Sequence, residues 1–148
     1  MNLNNKDKEQ LVGVGTIFKL SKHKPIWFIC KVSEEAPWEL PKTIVRRGES
    51  SVRSILRLAV EQGQMRARVL EEAYRATVVV KGNGRAITQK HIYYLLVQKD
   101  AGEIIGFGKF AWLDYARAVK KLVSKKEQTA LRAARDLLKE LDKKSKKK

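Results

Sequence analysis

Polar and apolar positions follow two periods along this chain. Leu11–Leu20 (LVGVGTIFKL) and Ile26–Val32 (IWFICKV) are short apolar runs rich in aromatic and β-branched residues. They flank the polar Ser21–Pro25 and predict two strands joined as a hairpin. Gly13 and Gly15 in the first run predict a bulge or a close backbone approach. Ser33–Pro37 reads as a loop and Trp38–Leu40 as a short extended piece, because Pro41 keeps Leu40 out of the α region. Ile44-Val45 predicts one more short strand. The period then changes. Val52, Ile55, Leu56, Ala59 and Val60 recur at helical spacing and predict an amphipathic helix, capped by Glu49 or Ser50 and stopped by Gly63. On that wheel Arg57 and Glu61 lie opposite the apolar stripe. Leu58 and Gln62 fall on the polar flank, which leaves Leu58 as an apolar residue outside the stripe.

The second half repeats the alternation. Ala67–Val80 ends in the β-prone run Ala76–Val80, and Lys81–Arg85 (KGNGR) is a turn signal. His91–Gln98 (HIYYLLVQ) is the returning strand of a second hairpin. Asp100-Ala101-Gly102 makes another turn, and Ile104–Trp112 is predicted as a final extended segment. Asp114 caps a helix with Tyr115, Ala118, Val119 and Leu122 on one face. Ser124 and Glu127 have capping-box spacing at the start of a second helix that runs to about Leu141. Strands, a helix, more strands and then helices imply an α+β chain with a mixed β-sheet in α/β/α layers, not a doubly wound parallel sheet. The expected organisation is a flexible N-terminal arm over 1–10, one domain over 11–142 and a disordered basic tail over 143–148.

Composition narrows the partners. The 148 residues suffice for one domain with a core, and 43% hydrophobic content with three Trp argues against disorder. The formal charge is +16. Such an excess favours polyanions such as RNA, DNA or phosphate-rich ligands; a solubilising surface is the plainer reading. From Tyr115 to Lys148 there are 13 Lys and Arg against 4 Asp and Glu, so more than half of the excess lies in the last quarter of the chain. The lone Cys30 sits in an apolar run, which excludes an internal disulfide and predicts a buried thiol. His23, among lysines, reads as a solvated turn residue. The polar N-terminus carries no signal core, and no apolar run approaches the ~20 residues of a membrane span. A soluble, cytoplasmic protein with no membrane partner is expected.

The central stretch resembles the Nudix hydrolase family. Its signature is G-x5-E-x7-R-E-U-x-E-E-x-G-U, with U apolar, often preceded by Trp-x-Leu-Pro-Lys. Here Trp38-Glu39-Leu40-Pro41-Lys42 matches the lead-in and Gly48-Glu49-Ser50 the Gly-Glu-Ser. Arg57 falls on the signature arginine, Glu61 on the first glutamate of the pair and Met65 on the last apolar position. Phe110–Ala116 resembles the family's entry into the C-terminal helices, and the likeness covers roughly Leu11 to Leu141. It implies a Nudix-like α/β/α sandwich, with Leu40, Pro41, Lys42, Gly48, Glu49 and Arg57 as the scaffold of the box.

The departures fall on the chemistry. In the family, helix glutamates hold Mg²⁺ on a pyrophosphate and help activate water. Here Leu58 and Gln62 stand at two of those positions, Thr43 and Gln64 at the two glycines, with Gly63 one place early. Leucine offers no oxygen and glutamine one neutral oxygen, whereas Mg²⁺ needs several oxygens and their charge. Sliding the register by one restores nothing. Three readings follow. In the first, a Nudix-fold domain with impaired or absent hydrolase activity, and no cofactor, binds a nucleotide, phosphate-rich ligand or RNA through Arg46, Arg47, Arg53, Arg57, Arg66 and Arg68. In the second, it is an active Mg-dependent pyrophosphohydrolase acting on acid anhydrides, with Glu61 as metal ligand, Glu49 assisting, and a further carboxylate from Glu34, Glu35, Glu71, Glu72 or Glu103. In the third, an exposed Leu58 forms part of a patch for a protein partner.

Overall fold

The computed structural model describes residues 9–102, 104 and 106–146. In chain order the strands are β1 (Glu9–Ser21), β2 (Lys24–Lys31) and β3 (Lys42–Ile44); helix α1 (Ser51–Glu61) comes next. Then come β4 (Met65–Gly82), β5 (Arg85–Ala101) and β6 (Lys109–Leu113), and finally α2 (Tyr115–Lys121) and α3 (Lys125–Lys146). The strands form one sheet in the order β4-β5-β1-β2-β6, with β3 also on β1. Among the described residues only the β1–β5 pair is parallel. β1 serves two neighbours along one edge: Val12–Val14 pairs with β3, and Phe18–Ser21 pairs with β2. Both expected hairpins are present, and the sheet is mixed, as the element order implied.

Alternation along the strands divides the core between two faces. Val12, Val14, Trp27, Ile29, Tyr93 and Leu95 face α2 and α3, where they meet Ala118, Leu122, Leu131 and Ala134. Ile17, Phe28, Cys30, Ile92, Tyr94 and Leu96 face α1, with its Ile55, Leu58 and Ala59. Gly13 and Gly15 are the reason α1 can lie close to β1. A Cβ on Gly13 would overlap Ser54 Oγ, and one on Gly15 would stand 3.1 Å from Ile55 Cδ1. The glycines thus mark a close approach between helix and strand.

Several boundaries differ from the pattern reading. The final extended segment is short: β6 covers only Lys109–Leu113, because Gly106 and Gly108 lie against Gln62 and Val32 instead of pairing as strand. Residues 143–146 are helical where a disordered tail was expected. Lysine is a good helix former, and cations are favoured near a helix C-terminus. The strand already includes Glu9 and Gln10, paired with Thr88 and Gln89; most of the expected arm, 1–8, lies outside the described residues. No helix among the described residues is long and apolar enough to cross a membrane.

Candidate functional site

The site is built on the segment from Trp38 to Met65. Glu39 bridges to Cys30 of β2, and the Pro41 carbonyl accepts from Gly15 N–H at 2.9 Å, so the Leu-Pro-Lys run is tied to the sheet from both sides. Lys42 then fixes it to α3. Its ammonium lies 2.6 Å from Glu127 Oε2 and 2.5 Å from Glu39 Oε1, and Leu40 N–H donates to Glu127 Oε1. Burial alone would lower the Lys42 pKa; the carboxylates of Glu127 and Glu39 outweigh it and raise it. Burial raises the Glu127 carboxyl against the pull of Lys42. With an ammonium on one oxygen and an N–H on the other, the buried Glu127 is held as an ion pair. Glu127 therefore does not complete the expected capping box. Its backbone N–H donates to Ser124 Oγ at 3.3 Å, while its side chain leaves the helix for the Lys42 loop. Sequence spacing identified the residue and missed this role, because no local pattern links positions 85 residues apart.

The Gly48-Glu49 turn and α1 form a second assembly. Gly48 has φ 79°, which a side chain resists. Ser50 Oγ caps the helix through Arg53 N–H. Glu49 receives Arg57 through two bonds, Nε at 2.8 Å and Nη2 at 3.0 Å, and also accepts Arg46 N–H at 3.0 Å. Arg57 and then Arg46 hold the Glu49 carboxyl down to about 2. Arg57 further reaches the Ile44 carbonyl at 3.3 Å and Glu61 at 3.5 Å, and Arg46 approaches Glu61 at 3.9 Å. The arginine and glutamate of the box thus lock the loop onto the helix, and Glu61 is half exposed and faced by two guanidinium groups.

Leu58 is not on an exposed flank. It is 2% exposed and packs into the cluster with Ile55, Ala59, Cys30 and Met65, whereas Val60, expected on the apolar stripe, is 62% exposed. The helix is rotated by about a quarter turn from the seat that hydropathy predicts. Close approach to Gly13 and Gly15 sets the seat, with Ser54 fully buried and Ser51 Oγ 2.5 Å from the Tyr94 hydroxyl. This removes Leu58 as part of an exposed protein-docking patch. Cys30 is buried in the same cluster as expected, and burial pushes its thiol up to about 12.

Beyond Leu58 the helix end is covered. Gln62 and Gln64 carbonyls accept from Gly106 and Gly102 N–H at 2.9 and 2.8 Å, and a Cβ on Gly106 would collide with Gln62. A cleft of only about 150 Å³ remains between Cys30–Val32, the Leu-Pro-Lys run, Gln62 and Gly106–Gly108. Ligand pockets are usually at least ~300 Å³. Among the described residues the carboxylate that lines it, Glu39, is engaged by Lys42. Gln64, at the second signature glycine, itself adopts φ 44°.

These residues do not fit a magnesium site. Among the described residues no group of three or more His, Cys, Asp or Glu is placed to share an ion. Glu61 has no second carboxylate beside it on the helix, and Leu58 brings a buried hydrocarbon where an anionic oxygen is needed. Of the substitute carboxylates, Glu34 is tied to Lys109 and Glu72 to Arg75, while Glu71 lies on β4 and Glu35 in the loop before Trp38; Glu103 lies outside the described residues.

The six arginines expected to form one basic face are dispersed. Arg46, Arg47 and Arg53 are exposed in the loop and first turn of α1. Arg57 is committed to Glu49, and Arg66 pairs with Asp100 at 2.8 Å. Arg68 lines a groove with α3 across the sheet.

No protein-family model matches the sequence, and no curated protein matches it. Solved structures do resemble it. A C. elegans Ap4A hydrolase binary complex aligns at TM-score 0.69 and 17% identity, over 87% of this chain and 97% of that one. The NUDIX domain of Shewanella oneidensis NrtR, complexed with ADP ribose, aligns at 0.70 and 14%, over 88% of each chain. The E. coli dihydroneopterin triphosphate pyrophosphohydrolase aligns at 0.68 and 10%, over 82% of this chain and 91% of that one.

Proposed function

We propose, from a chain that has the Nudix fold, that this protein binds a nucleotide or other phosphate-rich ligand without efficiently hydrolysing it. One observation carries the reading: Leu58 is sealed in an apolar cluster at the position of a metal-binding glutamate. The neighbouring donors support it. Glu49 is consumed by Arg57, Glu61 faces two arginines, and the cleft beside Gln62 and Gly106 is small, about 150 Å³. The ligand phosphates would sit on Arg46, Arg47 and Arg53, exposed cations around the start of α1. Arginine holds its charge and offers paired donors, so it can bind phosphate without a metal. RNA is the larger ligand that the same contacts accept, and such binding would be weakly selective for sequence. The net charge of +16 supports attraction of either anion.

A second reading is favoured by the solved structures, of which two are named as hydrolases of phosphoanhydrides. In that reading Glu61 recruits Mg²⁺ with help from a carboxylate outside the helix. Calorimetric titration with ADP-ribose and with ATP, in EDTA and then in excess magnesium, separates the two. Saturable binding in EDTA, weakened at least ~10-fold by the double substitution Arg46→Glu with Arg53→Glu, is expected. Binding that requires magnesium and survives that substitution would contradict the proposal.

A further inference from the structure

On the far face of the sheet from α1, α3 leaves a groove of about 470 Å³ against the strand ends. Its floor is apolar: Phe18, Leu70, Val97 and Leu138 all belong to the α2–α3 side of the core. Leu20, at its edge, is left 62% exposed. Its rim is cationic. Arg68 of β4, Lys99 of β5 and Lys139 of α3 converge there with His23 of the β1–β2 turn. That turn is set by positive φ at both Lys22 and His23.

Some of the other cations are already neutralised by a neighbour. Arg57, Arg66, Arg75 and Arg117 each have a carboxylate partner. Among the described residues no carboxylate pairs with Arg68, Lys99 or Lys139, and Asp142, the acid at the rim, is itself not free. Like charges gathered over hydrocarbon repel one another and keep a leucine in water. An anion with an apolar body relieves both conditions, and the volume lies within the usual range for small ligands. The floor has no hydrogen-bonding group to read a base, and Phe18 is too buried to stack on one, at 4% exposed. We infer that this groove binds a small free amphipathic anion, an aliphatic or aryl body bearing a phosphate or carboxylate head. The head would lie on Arg68, Lys99 and Lys139, and the body on Leu70, Val97 and Leu138. This site is separate from the α1 arginines and does not depend on the function proposed for them.

Heteronuclear NMR titration of the full chain with octyl phosphate tests it, beside octyl glucoside and inorganic phosphate. Saturable shifts confined to Phe18–Pro25, Arg68–Leu70, Val97–Lys99 and the last turns of α3 are expected, at least ~10-fold tighter than with either comparison compound. The double substitution Arg68→Glu with Lys99→Glu, both exposed, should abolish at least ~10-fold of the affinity with an unchanged melting temperature. Equal binding of inorganic phosphate would reduce the groove to an ionic surface, and equal binding of octyl glucoside to an apolar patch. Shifts elsewhere, or stronger binding to phosphatidylglycerol vesicles through the same residues, would also overturn it.

Discussion

Replacing Leu58 by glutamate introduces the residue that the Nudix signature has at this position and should nevertheless damage this protein. The side chain is 2% exposed and shares its cluster with Ile55, Ala59, Cys30 and Met65. Loss of the buried hydrocarbon costs about 2–3 kcal/mol. Burial pushes up a carboxyl placed there; a rise of about three pKa units adds about 4 kcal/mol near neutral pH. The sum of about 6 kcal/mol approaches the whole stability of an ordinary domain. Leu58→Met keeps volume and polarity and should cost less than about 1.5 kcal/mol. Urea unfolding followed by tryptophan fluorescence, with Trp27 fully buried as reporter, measures both. The introduced carboxyl has a folded pKa above its unfolded value. The native state therefore retains a proton that the unfolded state releases, and stability falls as pH rises between the two values. The deficit should be larger near pH ~8 than near pH ~5, and millimolar magnesium should not repair it. An unchanged midpoint with no pH slope, or a midpoint raised by magnesium, would refute the burial argument.

Three other outcomes follow from the same packing. Lys42→Met leaves Glu127 buried without its cation and should cost about 3–5 kcal/mol, most of it returned by adding Glu127→Leu; thermal denaturation of the two variants checks this. Gly13→Ala forces a methyl onto Ser54 Oγ and within 3.2 Å of the Ser51 carbonyl, so about 1–3 kcal/mol should be lost by urea unfolding, and Ser54→Ala in the same chain should recover over half. His91 is buried with Nδ1 unpaired, and burial followed by the Lys42 and Lys126 charges lowers its pKa from 6.5 to about 4. The neutral ring is favoured in the fold, so its contribution is complete above pH ~6.5 and is lost as pH falls from there to ~4, an effect of order 3 kcal/mol that His91→Gln should flatten.

Much of the fold was legible because local patterns carry it. Strand alternation, the Asn83-Gly84 turn and the Ser50 and Asp114 caps act over a few residues, and each is where the pattern reading placed it. The seat of α1 was not legible. Hydropathy placed the apolar face through Val52 and Val60, whereas the contact is set by two glycines on a strand distant in sequence. Leu58 therefore changed from an apparent surface anomaly to a core residue. The candidate site divides in the same way. Glu49 and Arg57, both placed in the scaffold by the resemblance, form an ion pair. The Lys42–Glu127 anchor, the cover of Gly106 over Gln62 and the separation of Arg68 from Arg53 all depend on long-range packing. A count of arginines along the chain cannot report which of them already have partners.

The proposed function rests on Leu58, a core residue where the Nudix signature has a metal-binding glutamate. Turnover measures it most directly: release of mononucleotide or phosphate from Ap4A, ADP-ribose and nucleoside triphosphates with magnesium or manganese, with Glu61→Gln as the matched control. The account predicts no release above the control for any substrate. Metal-dependent turnover that the Glu61→Gln substitution abolishes would contradict it.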